Sequence, residues 1–224
     1  MLRRIFYFKV RATASPAKVE ETLRLIRAVP QEIPAVRRVS VGEAQPPGGQ
    51  WSHVWDMEFA APQFVQAYLD HPYHMERLVP LFKRDAPDTT VEKLDFVHFE
   101  PLFVGARKPQ AKPLISRALA FRISEGTPKD KVMRLEALFW KMAEEIPGIT
   151  NWCLGKATRD RTPTPWTHMW HLEFEQQSGL DEYNAHPFHR DVIGPHFMKD
   201  NPQRIVEQYT MAAYVAGESY IRPS

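Results

Sequence analysis

The 224-residue chain contains a single cysteine, Cys153. A lone cysteine excludes an intramolecular disulfide and any zinc site built on several thiolates. Charge of one sign is also scarce. The net charge is +2 with His neutral, and the first hundred residues carry 13 Lys/Arg against 13 Asp/Glu. So even a balance lacks the basic patch that nucleic acid or an anionic lipid surface requires. Long apolar runs are missing as well: no stretch approaches the ~20 residues needed to span a bilayer. The apolar run in "MLRRIFYFKV" is too short for a signal sequence, with charge returning at Lys9 and Arg11. The expectation is a cytoplasmic protein with neither a nucleic-acid nor a membrane partner.

What is present is an internal repeat. "WSHVWDMEF" at 51–59 returns as "WTHMWHLEF" at 166–174, and "YLDHPYH" at 68–74 returns as "YNAHPFH" at 183–189. Both pairs are offset by 115 residues. With 43% hydrophobic and 25% charged residues, the composition is that of an ordinary globular protein.

The elements follow from local pattern. "RRIFYFKV" is aromatic and β-branched and predicts a strand. Ser15 as N-cap and Pro16 at the first helical position open a helix. "AVRRVSVGE" predicts a strand, "AQPPGGQ" a loop, and 51–59 the next strand. "APQFVQAYLD" predicts a helix that stops before Pro72, a second helical piece runs towards Phe82, and "TTVEKLDFVHF" closes the unit. Strand 116–123, a helix opened by Thr127–Pro128, "EIPGITNWCLG" (matching "EIPAVRRVSVG"), the loop "KATRDRTPTP" and a last strand near 204–214 repeat that order.

Strand–helix–strand–strand–helix–strand is the ferredoxin-like βαββαβ unit. Its antiparallel sheet carries helices on one face only, so the other face needs a partner. The expected fold is therefore α+β: two such repeats packed as an intrachain pseudo-dimeric barrel with the helices outside. Residues 1–100 form the first repeat, 101–113 a Pro- and base-containing connector, and 114–224 the second repeat with a C-terminal tail.

Strand alternation places Trp51, His53, Trp55, Met57 and Phe59 on one apolar face, and Trp166, His168 and Trp170 match them. His53 and His168 are either core histidines with satisfied rings or members of a ligand pocket walled by the Trp rings beneath the helices. In the HPxH element, Pro72 and Pro187 suit a first helical position, which makes His71 and His186 cap-like residues. His74 and His189 then sit in the first turn, where the helix dipole and burial both favour the neutral imidazole that a general base requires. Tyr68 and Tyr183, six positions earlier, would tie their hydroxyls to a polar partner such as His53 or His74. His98, His171 and His196 lack a matched partner and read as surface or strand positions. The two copies keep the Trp, His and HPxH residues while helices 16–32 and 128–145 have drifted.

The strand "W(S/T)HxWxxEF", the "AYLDHPYH" and "EYNAHPFH" elements and the "EIP" before the second strand resemble the stress-responsive A/B barrel domain of the dimeric α+β barrel superfamily. The tandem arrangement is similar to a fused version of a homodimer. A plant polyketide cyclase of that family uses a Tyr and the second His of this element as its catalytic dyad. The resemblance carries those roles to Tyr68/His74 and Tyr183/His189, with the strand His at His53/His168. It implies a cofactor-free mechanism in which His removes a proton alpha to a carbonyl while Tyr hydrogen-bonds the enolate oxygen.

That enzyme has a further His on its first strand, where this chain has Arg4 and Arg117. An Arg cannot act as a base but can clamp a carboxylate or phenolate, and Arg4 can equally be an exposed strand residue. A three-His metal site from His53, His71 and His74 is disfavoured, because cap geometry points His71 away from His74. No haem-ligand motif is evident, so no metal and no cofactor are expected. The expected function is a lyase, cyclase or isomerase acting on a small carbonyl or phenolic molecule. Its catalytic residues would be Tyr68, His74 and His53 in one site and Tyr183, His189 and His168 in the other, with Trp51, Trp55, Trp166, Trp170, Arg4 and Arg117 contacting substrate. The alternative is a non-catalytic stress or small-molecule-binding protein, stabilised as a homo-oligomer.

Overall fold

The first half of the chain supplies β1 (Leu2–Val10), α1 (Pro16–Glu32), β2 (Val36–Gln45), β3 (His53–Phe59), α2 (Phe64–Leu69), a π-helical turn (Tyr73–Leu78), α3 (Val79–Phe82) and β4 (Val91–Ala106). The second half supplies β5 (Ile115–Ile123), α4 (Lys129–Glu145), β6 (Asn151–Thr158), β7 (His168–Phe174), α5 (Gln177–Ala185), a second π-helical turn (Phe188–Ile193) and β8 (Val206–Tyr214). The computed structural model describes residues 1–45, 49–83, 89–108, 115–158, 162–216 and 221. The strands close into one antiparallel barrel in the order β1–β3–β2–β8–β5–β7–β6–β4. Each half is thus a ferredoxin-like unit, and closure within one chain leaves no open sheet edge.

Alternation along β1 shows how both sheet faces are buried. Phe6 and Phe8 pack under the helices with Leu25, Ile26 and Val29 of α1, while Ile5 and Tyr7 point into the barrel with Val54, Val97 and Met169. In the second half Leu135, Phe139 and Met142 of α4 cover Trp170, Leu172 and Phe174. α1 starts where capping predicts, Ser15 Oγ accepting the Lys18 N–H at 3.3 Å with Pro16 just inside.

Three expectations shift. Residues 101–106, read as connector, continue β4 and pair with β6 from Pro101↔Gly155 to Ala106↔Asn151. A register shift between Pro101 and Phe103 lets the strand absorb its proline. Residues 109–113 of the connector, 46–48 and 159–161 of the hairpin loops, and most of the C-terminal tail lie outside the described residues. Second, Trp51 and Trp166 do not share the helix-facing side with Trp55 and Trp170. Ser52 Oγ takes the Val10 N–H at 2.8 Å and Thr167 Oγ1 takes the Ile123 N–H at 2.9 Å. These hydroxyls replace a ladder rung and end the alternation. Both indoles therefore pack with the barrel interior, Trp51 Nε1 donating to Thr210 Oγ1 (2.7 Å) and Trp166 Nε1 to Asp95 Oδ1 (3.3 Å). Third, of the surface and strand readings of His171 the strand one holds: it lies on β7, with its side chain in the barrel interior.

Around His171 the interior holds a polar cluster. Arg3 pairs with Asp56 Oδ2 and donates to His171 Nδ1 at 3.0 Å, and Tyr214 lies 3.3 Å from His171 Nε2. A guanidinium only donates, so Nδ1 must be the unprotonated nitrogen and Nε2–H faces the Tyr214 oxygen. Asp56 and His171 occupy equivalent positions of the two copies, so the fused chain pairs unlike groups where two identical copies would meet like with like.

The seam between the halves is tight at Gly105. A Cβ there would lie 2.1 Å from Trp152 Cε2. Gly105→Ala is expected to lower stability by about 1–3 kcal/mol through overpacking, measured as a lower urea midpoint at unchanged slope.

Candidate active site

α2 ends at Leu69 and the chain turns through Asp70 and His71. His71 Nδ1 accepts the Tyr73 N–H at 3.2 Å, as His186 does for Phe188. Both act as the caps their position before proline implies. The helix that follows is wound as a π-turn, the Val79 N–H reaching His74 O. This places His74 beside the end of α2, where its Nδ1 lies 2.9 Å from Leu69 O. A carbonyl only accepts, so Nδ1 carries the hydrogen and the lone pair resides on Nε2. Burial holds the His74 pKa below its ordinary value, and the Arg4 charge pushes the same way against the Leu69 acceptor.

Tyr68 and Arg4 complete the cluster. The Tyr68 ring lies 4.5 Å from that of His74 and 5.5 Å, edge on, from Phe59. The polar partner of its hydroxyl is Arg4, not His53 or His74. Burial raises the Tyr68 pKa to about 12, with Arg4 pulling it down. Arg4 is not an exposed strand residue: it is 6% exposed, its guanidinium lying 4.2 Å from the Phe96 ring centre. Burial lowers its pKa.

These residues border a cleft of about 860 Å³ between the β1–β4 face and α2. Arg4, His74, Phe96 and His98 line it, with Thr158 from the other half. His98 was missed by the sequence reading. It pairs across strands with Arg4, so it shares that face, but the pairing register is needed to see it.

The second half is not a replica. Tyr183 and His189 meet at 4.2 Å and burial lowers the His189 pKa to about 4. Arg117, however, donates to Asn184 Oδ1 at 2.9 Å and lies 3.0 Å from Met211 Sδ. The cross-strand place that His98 holds opposite Arg4 belongs to Ala213 opposite Arg117. A cleft of about 710 Å³ borders Arg117, but His189 does not line it.

Several expected site members stand elsewhere. His53 pairs with Phe8 and Arg4 with Met57 along β1 and β3, about 13 Å apart at the strand rise. The His53 ring stacks on Phe8 at 5.1 Å with Nδ1 2.9 Å from Ser52 Oγ. His168 has both nitrogens engaged, by Thr167 Oγ1 at 2.9 Å and Glu136 Oε1 at 3.1 Å, so neither is turned to a substrate. Trp55 and Trp170 fill the helix–sheet cores against Phe82 and Phe139, so Phe96 rather than a Trp pair walls the first cleft. Tyr68 is 1% exposed and lies beneath the cleft surface, which removes the direct substrate contact expected of it.

The family model described as the stress responsive A/B barrel domain matches residues 2–94 and again 115–210. Curated protein sequences give no match. Among solved structures, an anthrone oxidase-like protein has a TM-score of 0.69 at 11% identity, covering 96% of this chain and 90% of its own. A candidate monooxygenase from Fusobacterium nucleatum gives 0.65 at 9% identity, covering 99% and 95%. One from Lactobacillus acidophilus gives 0.56 at 10%, covering 96% and 93%. At such identities the likeness establishes the fold. Among the described residues no helix is long and apolar enough to cross a membrane.

Proposed function

The chain belongs to the stress-responsive A/B barrel domain family, and on that footing we propose that its first-half cleft is the active site of a cofactor-independent enzyme acting on small carbonyl compounds by proton transfer. His74 Nε2 removes the proton alpha to the carbonyl. Charge developing on the enolate oxygen forms within the field of the Arg4 guanidinium, in a site partly shielded from water where such stabilisation is strongest. Tyr68 works from below as a positioning residue, its hydroxyl holding Arg4 and its ring supporting the imidazole. The enolate then reprotonates at a new carbon, closes on a second carbonyl, or expels a leaving group: isomerase, cyclase or lyase.

The observation that carries this reading is the His74 Nδ1–H held by the Leu69 carbonyl at 2.9 Å. It fixes a neutral tautomer with Nε2 as the base, and a depressed pKa keeps that form dominant at pH 7. The test is solvent-deuterium incorporation into the α-carbon of aryl methyl ketones and 1,3-diketones, followed by proton NMR. Exchange above the buffer rate, reduced in Tyr68→Phe, is expected. Ligand binding without exchange in any member of the panel would leave the non-catalytic carrier reading in its place.

A second reading follows from the anthrone oxidase-like neighbour. The same carbanion, formed from a phenolic ketone, would react with O2 instead of reprotonating. Oxygen uptake that depends on His74 distinguishes the two.

A further inference from the structure

We propose that the first-half cleft selects substrates bearing a carboxylate, and that Arg4 is the residue that holds it. The inference rests on reading this cleft as the ligand site and names the class of molecule it takes. Arg4 is more than nine-tenths buried, lines the cleft, and its Nε has no hydrogen-bond partner. Among the described residues it forms no ion pair with a carboxylate; its neighbours are the Tyr68 phenol and the faces of Phe6, Phe96 and Tyr68. Burying a guanidinium without a counter-ion is costly, and ring faces offset that only in part.

An enolate formed during turnover exists too briefly to stabilise the resting charge, so the bound ligand must bring its own negative oxygen. A guanidinium presents two parallel donors that match a carboxylate. The second half serves as an internal control. Its Arg117 is already engaged by Asn184 Oδ1, where the first half has Leu69 at the equivalent position. Leu69 contributes only its backbone carbonyl, to His74. The Nε of each arginine has no hydrogen-bond partner, and the copies differ in that an amide side chain engages Arg117 while only the Tyr68 phenol engages Arg4.

The test compares two probes of nearly equal shape, 4-acetylbenzoate and the neutral 4-acetylbenzamide, by calorimetric titration at pH 7. The wild-type chain is expected to bind the carboxylate at least about tenfold more tightly, as a charge-assisted bidentate pair implies. Arg4→Met should abolish that preference and Arg117→Met should retain it. Equal affinities, or a preference that survives Arg4→Met or disappears in Arg117→Met, overturn the proposal. If Arg4→Met does not fold, Arg4→Lys decides: a reduced preference supports bidentate binding by Arg4, and an unchanged one overturns it. Because binding is measured without turnover, carboxylate preference with no proton exchange removes the proposed chemistry and leaves the anion site standing. Exchange without preference does the reverse.

Discussion

Asp56→Ala is expected to destabilise the fold by about 3–5 kcal/mol, because it leaves Arg3 charged inside the barrel without its partner. Arg3 and Asp56 are both almost fully shielded from solvent. The guanidinium also donates to His171 Nδ1, so losing Asp56 loosens the donor that fixes the His171 tautomer. A double replacement, Arg3→Met with Asp56→Leu, removes both charges and keeps most of the volume. It is expected to cost much less than the single change, since an apolar pair avoids the desolvation penalty. Urea midpoints of the two variants check this; a double variant as unstable as Asp56→Ala would mean that the ion pair is not the source of the effect. The same cluster makes the fold acid-sensitive. Burial, and then the Arg3 charge, hold the His171 pKa well below 6.5. Between those values the unfolded chain binds a proton that the folded chain refuses, so stability falls as pH drops below 6.5.

His74→Ala is expected to lower the rate of α-proton exchange by roughly 10²–10⁴-fold, the usual contribution of a positioned general base. Removing an imidazole that lies partly at a cleft wall does little to the core, so folding should survive and the loss should fall on rate rather than on melting temperature. The pH profile carries an independent sign. A protonated imidazole cannot accept the α-proton, and the His74 pKa is depressed from 6.5. The rate is therefore expected to stay level as pH falls through 6.5 and to decline only at lower pH. A decline centred above 6.5 would point to another base.

Much of this architecture is legible in the sequence because its causes are local. Ser15 and Pro16 start a helix, two matching aromatic strands announce a duplication, and a sheet with helices on one face demands a second sheet. His71 and His186 as caps follow from the HPxH spacing for the same reason, whereas His74 and His189 beside their tyrosines were implied by the family resemblance. What was not legible depends on pairing between distant strands. His98 comes opposite Arg4 only through the β1–β4 register, and Arg3 finds His171, 168 positions away, only because the two halves face one another across the barrel. The Trp51 and Trp166 side chains were misplaced because a Ser or Thr hydroxyl that substitutes for a ladder rung looks, in sequence, like any alternating polar residue. His53 was grouped with His74 by resemblance, yet four residues of strand separate it from the Arg4 position.

The most direct measurement is α-proton exchange of a common ketone substrate by wild type, His74→Ala and His189→Ala side by side in deuterated buffer. Reactivity confined to the first-half cleft predicts that His74→Ala loses the exchange while His189→Ala keeps most of it. Equal retention in both variants, or loss in His189→Ala alone, would contradict it.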